Sequence, residues 1–108
     1  MDGQDRELLE LKASVLQAIA HPLRLAILEV LRPGERCVYE IARRIGAKRS
    51  NISRHLAVML GAGILGSRKK GLQVFYSLKT PCILGALGCA TRVLRDQGNR
   101  RSALLRKL

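Results

Sequence analysis

The chain of 108 residues has no tryptophan, and Tyr39, Phe75 and Tyr76 are its whole aromatic supply. A protein that stacks unpaired bases on a ring platform needs more rings than that, so single-stranded nucleic acid is disfavoured. No apolar run approaches the roughly 20 residues that span a bilayer. The acidic start, with Asp2, Asp5 and Glu7, does not resemble a signal peptide, and the chain reads as cytoplasmic. Cysteine is sparse and odd in number, with Cys37, Cys82 and Cys89 widely spaced, which does not suggest the disulfide framework of a secreted miniprotein. In a reducing compartment these three are packing, metal-binding or redox residues. There is also no Gly-x-Ser-x-Gly, no phosphate loop and no paired-carboxylate motif, so the chain reads as a non-enzyme without a small-molecule substrate.

Acidic residues are missing from the middle. All eight lie at Asp2, Asp5, Glu7, Glu10, Glu29, Glu35, Glu40 and Asp96, with none between Glu40 and Asp96. That interval holds Arg43, Arg44, Lys48, Arg49, Arg54, Arg68, Lys69, Lys70, Lys79, Arg92 and Arg95, and the formal net charge is +12. Such a surplus implies a polyanionic partner. A membrane-surface helix would interleave its cations with one strong apolar face, whereas these fall on several elements. Double-stranded DNA is the favoured target, with no membrane partner.

At this length one compact domain with a modest core is expected. Residues 1–97 read as that domain and 98–108 as a flexible basic tail. Leu8, Leu11, Val15, Leu16 and Ile19 recur at helical spacing and predict a first helix from about Glu7 to Ala20, stopped by His21-Pro22. Pro22 suits the first turn of a second helix striped by Leu23, Ala26, Ile27, Val30 and Leu31, which Pro33-Gly34 ends. Val38, Ile41, Ala42 and Ile45 mark a short third helix closed by Gly46. A fourth, from about Arg49 to Ala62, puts Ile52, Leu56, Met59 and Leu60 on one side and Ser50, Ser53, Arg54 and Ala57 on the other. Ile64–Lys69 and Leu72–Leu78 predict a hairpin turning at Lys70-Gly71. Pro81 opens a last helix with Ile83, Leu84, Leu87, Ala90, Val93 and Leu94 on its apolar surface.

A short helix, a tight turn, a polar-faced helix and a basic hairpin follow one another in the order of a winged helix-turn-helix. The fold class is mainly α with one β-hairpin, in the order α-α-α-α-β-β-α. The major groove of B-DNA, about 12 Å wide, admits one helix whose outward side chains reach base edges while flanking cations meet phosphates. Lys48, Arg49, Ser50, Asn51, Ser53, Arg54 and His55 gather at the start of the fourth helix. Arg suits guanine and Asn suits adenine, so Arg49, Asn51 and Arg54 are the candidates for reading sequence. Arg68, Lys69 and Lys70 at the hairpin would contact the backbone or the minor groove.

Four segments stand in order between Ala18 and Leu78: Ile19-Ala20-His21-Pro22-Leu23-Arg24-Leu25-Ala26-Ile27-Leu28, Cys37-Val38-Tyr39-Glu40-Ile41-Ala42, Ser50-Asn51-Ile52-Ser53-Arg54-His55-Leu56 and Ala62-Gly63-Ile64-Leu65. Through them this stretch closely resembles the ArsR/SmtB family of small dimeric transcriptional repressors. The resemblance implies a homodimer pairing its first and last helices, bound to a palindromic operator without a cofactor and released by an inducer. Leu8, Leu11, Val15, Ile83, Leu87 and Leu94 are then the candidate interface residues. Two long apolar faces on so small a chain motivate dimerisation independently.

Members of that family that sense arsenic or soft metals carry a Cys-Val-Cys pair at the third helix. Here only Cys37 remains, with Tyr39 at the second ligand position and Ala42 at the later one. The family's zinc site on the last helix lacks its histidines. Cys82 and Cys89, seven apart, read as lying on one helix face about 10 Å apart along its axis, too far to share one ion. One of them could meet Cys37 or a partner's thiol to hold As(III), Cd(II) or Pb(II) as inducer. A thiol redox or persulfide switch, and plain packing, stay open beside that reading. The rivals to a repressor are an inducer-free basic DNA- or RNA-binding protein and a protein-interaction module.

Overall fold

The computed structural model describes residues 1–98 and 106–107. Helix α1 spans Gly3–Gln17. Apolar spacing places its start at Glu7, but the helix begins four residues earlier because Asp2 and Asp5 form a reciprocal capping box, each side chain accepting from the other's backbone N–H. It also stops before Ala20, with Ala18 as its C-cap. Helix α2, Pro22–Leu31, has proline in its first turn, and the His21 ring accepts from the N–H of Leu23. Helix α3, Val38–Ile45, ends where Gly46 takes the left-handed conformation at φ 79°, and α4 covers Arg49–Gly61.

Three strands follow the order β1-β3-β2, with β1 at Arg36–Cys37, β2 at Leu65–Lys70 and β3 at Gln73–Leu78. Strand β1 was not expected. It pairs antiparallel with β3, Arg36 opposite Tyr76 and Cys37 opposite Phe75. The hairpin turn lies one residue later than Lys70-Gly71. Lys70 pairs with Gln73, which leaves Gly71-Leu72 as the loop. Gly71 has φ +64° and Leu72 does not share a positive φ, the combination that a type II′ hairpin turn demands of its two central residues. Leu72 therefore belongs to the tip and not to the strand.

A 3₁₀ turn, Pro81–Ile83, precedes α5, Leu84–Gln97. The core is built by Ile27, Leu28 and Leu31 of α2, Ile41 and Ala42 of α3, Ile52, Leu56 and Met59 of α4, and Ile64 and Leu65 leading into the hairpin. Neither α1 nor α5 has a buried residue. Residues 99–105 and 108 of the expected basic tail lie outside the described residues. No single helix among the described residues is long and apolar enough to cross a membrane.

Candidate nucleic-acid interface

Helix α4 is anchored from below and free above. Ile52, Leu56 and Met59 are fully buried, and α2 and α3 pack against the same helix. The opposite side presents Arg49, Ser50, Ser53 and Arg54 as exposed residues, with Asn51 half-buried. Arg54 donates from Nη2 to Oδ1 of Asn51, so the two candidate base readers stand as one unit one helical turn apart. Lys48 is the N-cap and makes no side-chain capping bond. The first N–H groups of α4 are thus left without a side-chain acceptor at an exposed, basic helix start, where a phosphate oxygen is the natural complement.

His55 does not share that surface. At 7% exposure it is buried, and its Nδ1 accepts a hydrogen bond from Arg24. The expectation that it faces DNA is corrected: it lies three residues after Ile52 and one before Leu56, on the helix face that packs inward.

The hairpin forms a wing beside α4. Arg68, Lys69 and Lys70 are exposed on β2. Lys48, Lys69 and Lys70 enter no ion pair among the described residues, whereas Arg68 is bound to Glu35 and lies 5.6 Å over the Phe75 ring. That hydrogen bond holds the Glu35 carboxyl below its ordinary value. Charge on α3 is also spoken for: Glu40 binds Arg43 and Arg44 at 2.8 Å each and Arg36 at 3.7 Å, and the hydrogen bonds from Arg43 and Arg44 hold its carboxyl low. Lys48 and Arg49 at the start of α4 and Lys69 and Lys70 on the wing are thereby left to meet a polyanion. Between them a cleft of about 290 Å³ is lined by Cys37, Tyr39, Arg49, Gln73, Val74 and Tyr76, with Arg49 stacked 5.4 Å over the Tyr39 ring. Sequence reasoning missed Arg24 and Tyr39 as neighbours of this surface. The i to i+3 position of His55 against Ile52 could have flagged its burial, but nothing local flags Arg24 or the stacking of Tyr39.

The cysteines are dispersed over three elements. Cys37 is half-buried at the N-cap of α3, and Cys82 and Cys89 are exposed. Cys82 falls in the 3₁₀ turn and Cys89 in α5, so they do not sit on one continuous α-helical face as their spacing suggested. Among the described residues no three His, Cys, Asp or Glu side chains gather as a metal-ligand cluster.

Leu8 at 53%, Leu11 at 65% and Val15 at 40% exposure run along α1. Ile83 and Leu87 are half-buried against the chain's own core, and Leu94 is half-buried further along α5. Leu16, Ile19 and Leu25 face Ala86, Leu87 and Ala90 across an apolar groove of about 260 Å³.

The fold and this surface define a winged helix-turn-helix DNA-binding protein. Residues 21–67 match the model of the bacterial regulatory protein arsR family. The chain is 35% identical over 106 residues to the HTH-type transcriptional regulator Rv0081 of Mycobacterium tuberculosis, covering 97% of this chain and 93% of that one. The crystal structure of Rv0081 superposes with a TM-score of 0.73 at 36% identity, over 85% of this chain and 97% of that one. NolR from Sinorhizobium fredii gives a TM-score of 0.77 at 27% identity, over 86% and 93%. A homodimeric winged helix-turn-helix DNA-binding domain, Mb0332 from Mycobacterium bovis, gives 0.75 at 26% identity, over 93% and 94%. The chain belongs to the ArsR family of transcriptional regulators.

Proposed function

We propose that this chain is a homodimeric transcriptional repressor that binds a palindromic operator and is released when a thiol-reactive inducer, As(III) or a soft metal ion, engages Cys37, Cys82 or Cys89. The observation that carries the DNA half is the pairing of an uncapped, basic α4 start with a wing whose exposed Lys69 and Lys70 enter no ion pair among the described residues. Arg49, Asn51 and Arg54 read bases; Lys48, Ser50, Ser53, Lys69 and Lys70 meet phosphates, with Arg68 able to join them once it leaves Glu35. The exposed apolar residues of α1, with α5, form the dimer face, for which the homodimeric Mb0332 domain is the precedent.

Release requires an inducer that favours a dimer geometry in which the two reading helices no longer match successive major grooves, about 34–36 Å apart. A few kcal/mol of coupling is enough for that. Since no three ligating side chains gather among the described residues, a site of three sulfurs would draw on the partner subunit. A second reading, a thiol redox or persulfide switch, is supported by the exposure of Cys82 and Cys89, since oxidation needs access.

Fluorescence anisotropy of the reduced, metal-free protein on its own upstream DNA, with and without As(III), tests both halves. Tight binding released by As(III), with release blunted in Cys37→Ser, supports the metalloid reading. Release by an oxidant or persulfide donor alone supports the second. Absence of sequence-specific binding rules out the repressor.

A further inference from the structure

Arg24, His21 and His55 form a cluster that the DNA-facing surface does not use. His55 is the buried polar side chain of the described core, although Arg54 beside it points outward. Its Nδ1 accepts from Nε of Arg24 at 3.1 Å, and the His21 ring stands 4.4 Å away between centroids, tilted by 40°. Arg24 also reaches back from Nη1 to the carbonyl of Ala18, the C-cap of α1, at 3.4 Å. His21 is fixed in turn, its Nδ1 accepting from the N–H of Leu23 at 3.1 Å. Three side chains therefore join the end of α1, the first turn of α2 and the reading helix α4.

This arrangement demands one protonation state. A guanidinium offers donors only and keeps its proton, so Nδ1 of His55 has to be a bare acceptor and the ring neutral. The charged and titratable groups that act on His55 are His21 from the α1–α2 corner and Arg24 from α2, which contact it, and the outward Arg54 of α4 through its charge, all of them basic. Burial first, and then these neighbours, hold the imidazole below its ordinary value. A proton placed on Nδ1 would set a donor against the Nε–H of Arg24 and a charge among cations.

We infer that Arg24 and His55 are positioning residues for DNA recognition: their hydrogen bond seats α4 against the α1–α2 corner, and protonation of His55 in mild acid unseats the reading helix and weakens operator binding. This rests on the DNA-binding reading above. The sign is distinctive, because acidification adds positive charge to a protein that binds a polyanion and by itself tightens the complex.

The test is operator affinity of the full-length protein and of His55→Gln, whose amide oxygen can still accept from Arg24 but does not titrate. Both are measured at constant salt from about pH 7.5 to about pH 5.5, the range in which histidine ordinarily titrates. The ratio of wild-type to variant Kd is expected to rise as pH falls, by up to about tenfold for each unit separating the His55 pKa in the bound and unseated geometries. General charge effects cancel in that ratio. A constant or falling ratio overturns the coupling and leaves DNA binding intact; no specific binding by the wild type at the upper pH overturns both. If the variant does not fold, the imidazole ¹⁵N resonances of the wild type decide. A bare Nδ1 on a His55 that titrates below the ordinary histidine range supports the inference, and a His55 that titrates in or above that range overturns it.

Discussion

Glu35 grips Arg68 with both carboxylate oxygens across 33 positions of sequence, tying the turn after α2 to the first strand of the wing. The pair occupies a cation that would otherwise be free for phosphate. Glu35→Gln is therefore expected to raise non-specific DNA affinity and to steepen its salt dependence by about one phosphate contact. Anisotropy titrations over a salt series measure this; an unchanged slope would show that Arg68 stays engaged on Phe75 without its carboxylate.

The same bond sets a pH window. A carboxyl held below its ordinary value contributes stability that is present above about pH 4.3 and is lost as pH falls through the lowered value. Glu35 and Glu40 both behave this way. Wing and α3 resonances are thus expected to hold steady through mild acid and to shift only below that point, whereas a His55-linked change follows an imidazole that burial and its basic neighbours hold below its ordinary value. Two-dimensional NMR across the range separates the two; wing shifts beginning near neutrality contradict the assignment.

Arg54→Ala removes a candidate base reader and the partner of Asn51. The expected cost is about 1–3 kcal/mol of discrimination at one operator position with the fold unchanged. Lys69→Ala with Lys70→Ala is expected to weaken all sequences alike and to flatten the salt slope by about two contacts. Equal losses on specific and random duplexes for Arg54→Ala would remove it from the reading set.

Ile52 is fully buried on the inner face of α4, while Ser53 beside it is exposed. Ile52→Ala is expected to cost about 2–5 kcal/mol in urea unfolding. Ser53→Ala should stay within about 0.5 kcal/mol. A reversed order would mean that α4 is rotated from the seating described.

Much of the fold was legible because glycine and proline punctuate it. Pro22 opens α2, Gly46 closes α3 with a left-handed residue, and the apolar spacing of Ile52, Leu56 and Met59 places α4. The start of α1 was missed because Gly3 and Gln4 carry no apolar period, and the capping pair Asp2 and Asp5 had to be read instead. Strand β1 is two residues long, too short for any alternation to show, and exists only because β3 supplies its partner. The turn was displaced because Lys70 is not a turn residue and its pairing with Gln73 is decided by register.

The interface was legible as a set of cations but not as a circuit. Neither the Glu35–Arg68 tie nor the Arg24–His55 bond, 31 positions apart, leaves a local trace in sequence. Both depend on elements that meet only after folding. His55 is the instructive case: residue type suggested a surface contact, while its helical position, already implied by Ile52, required the interior.

Helix α1 is 15 residues long, caps itself and buries nothing. Helices of that length are marginal in water when no surface covers them. In a lone chain its exposed turns would come apart ahead of Ala18, whose burial and bond to Arg24 hold only the far end. In the proposed dimer, folding of this segment and pairing of two chains would be a single equilibrium, and its helix content would gauge how much protein is present.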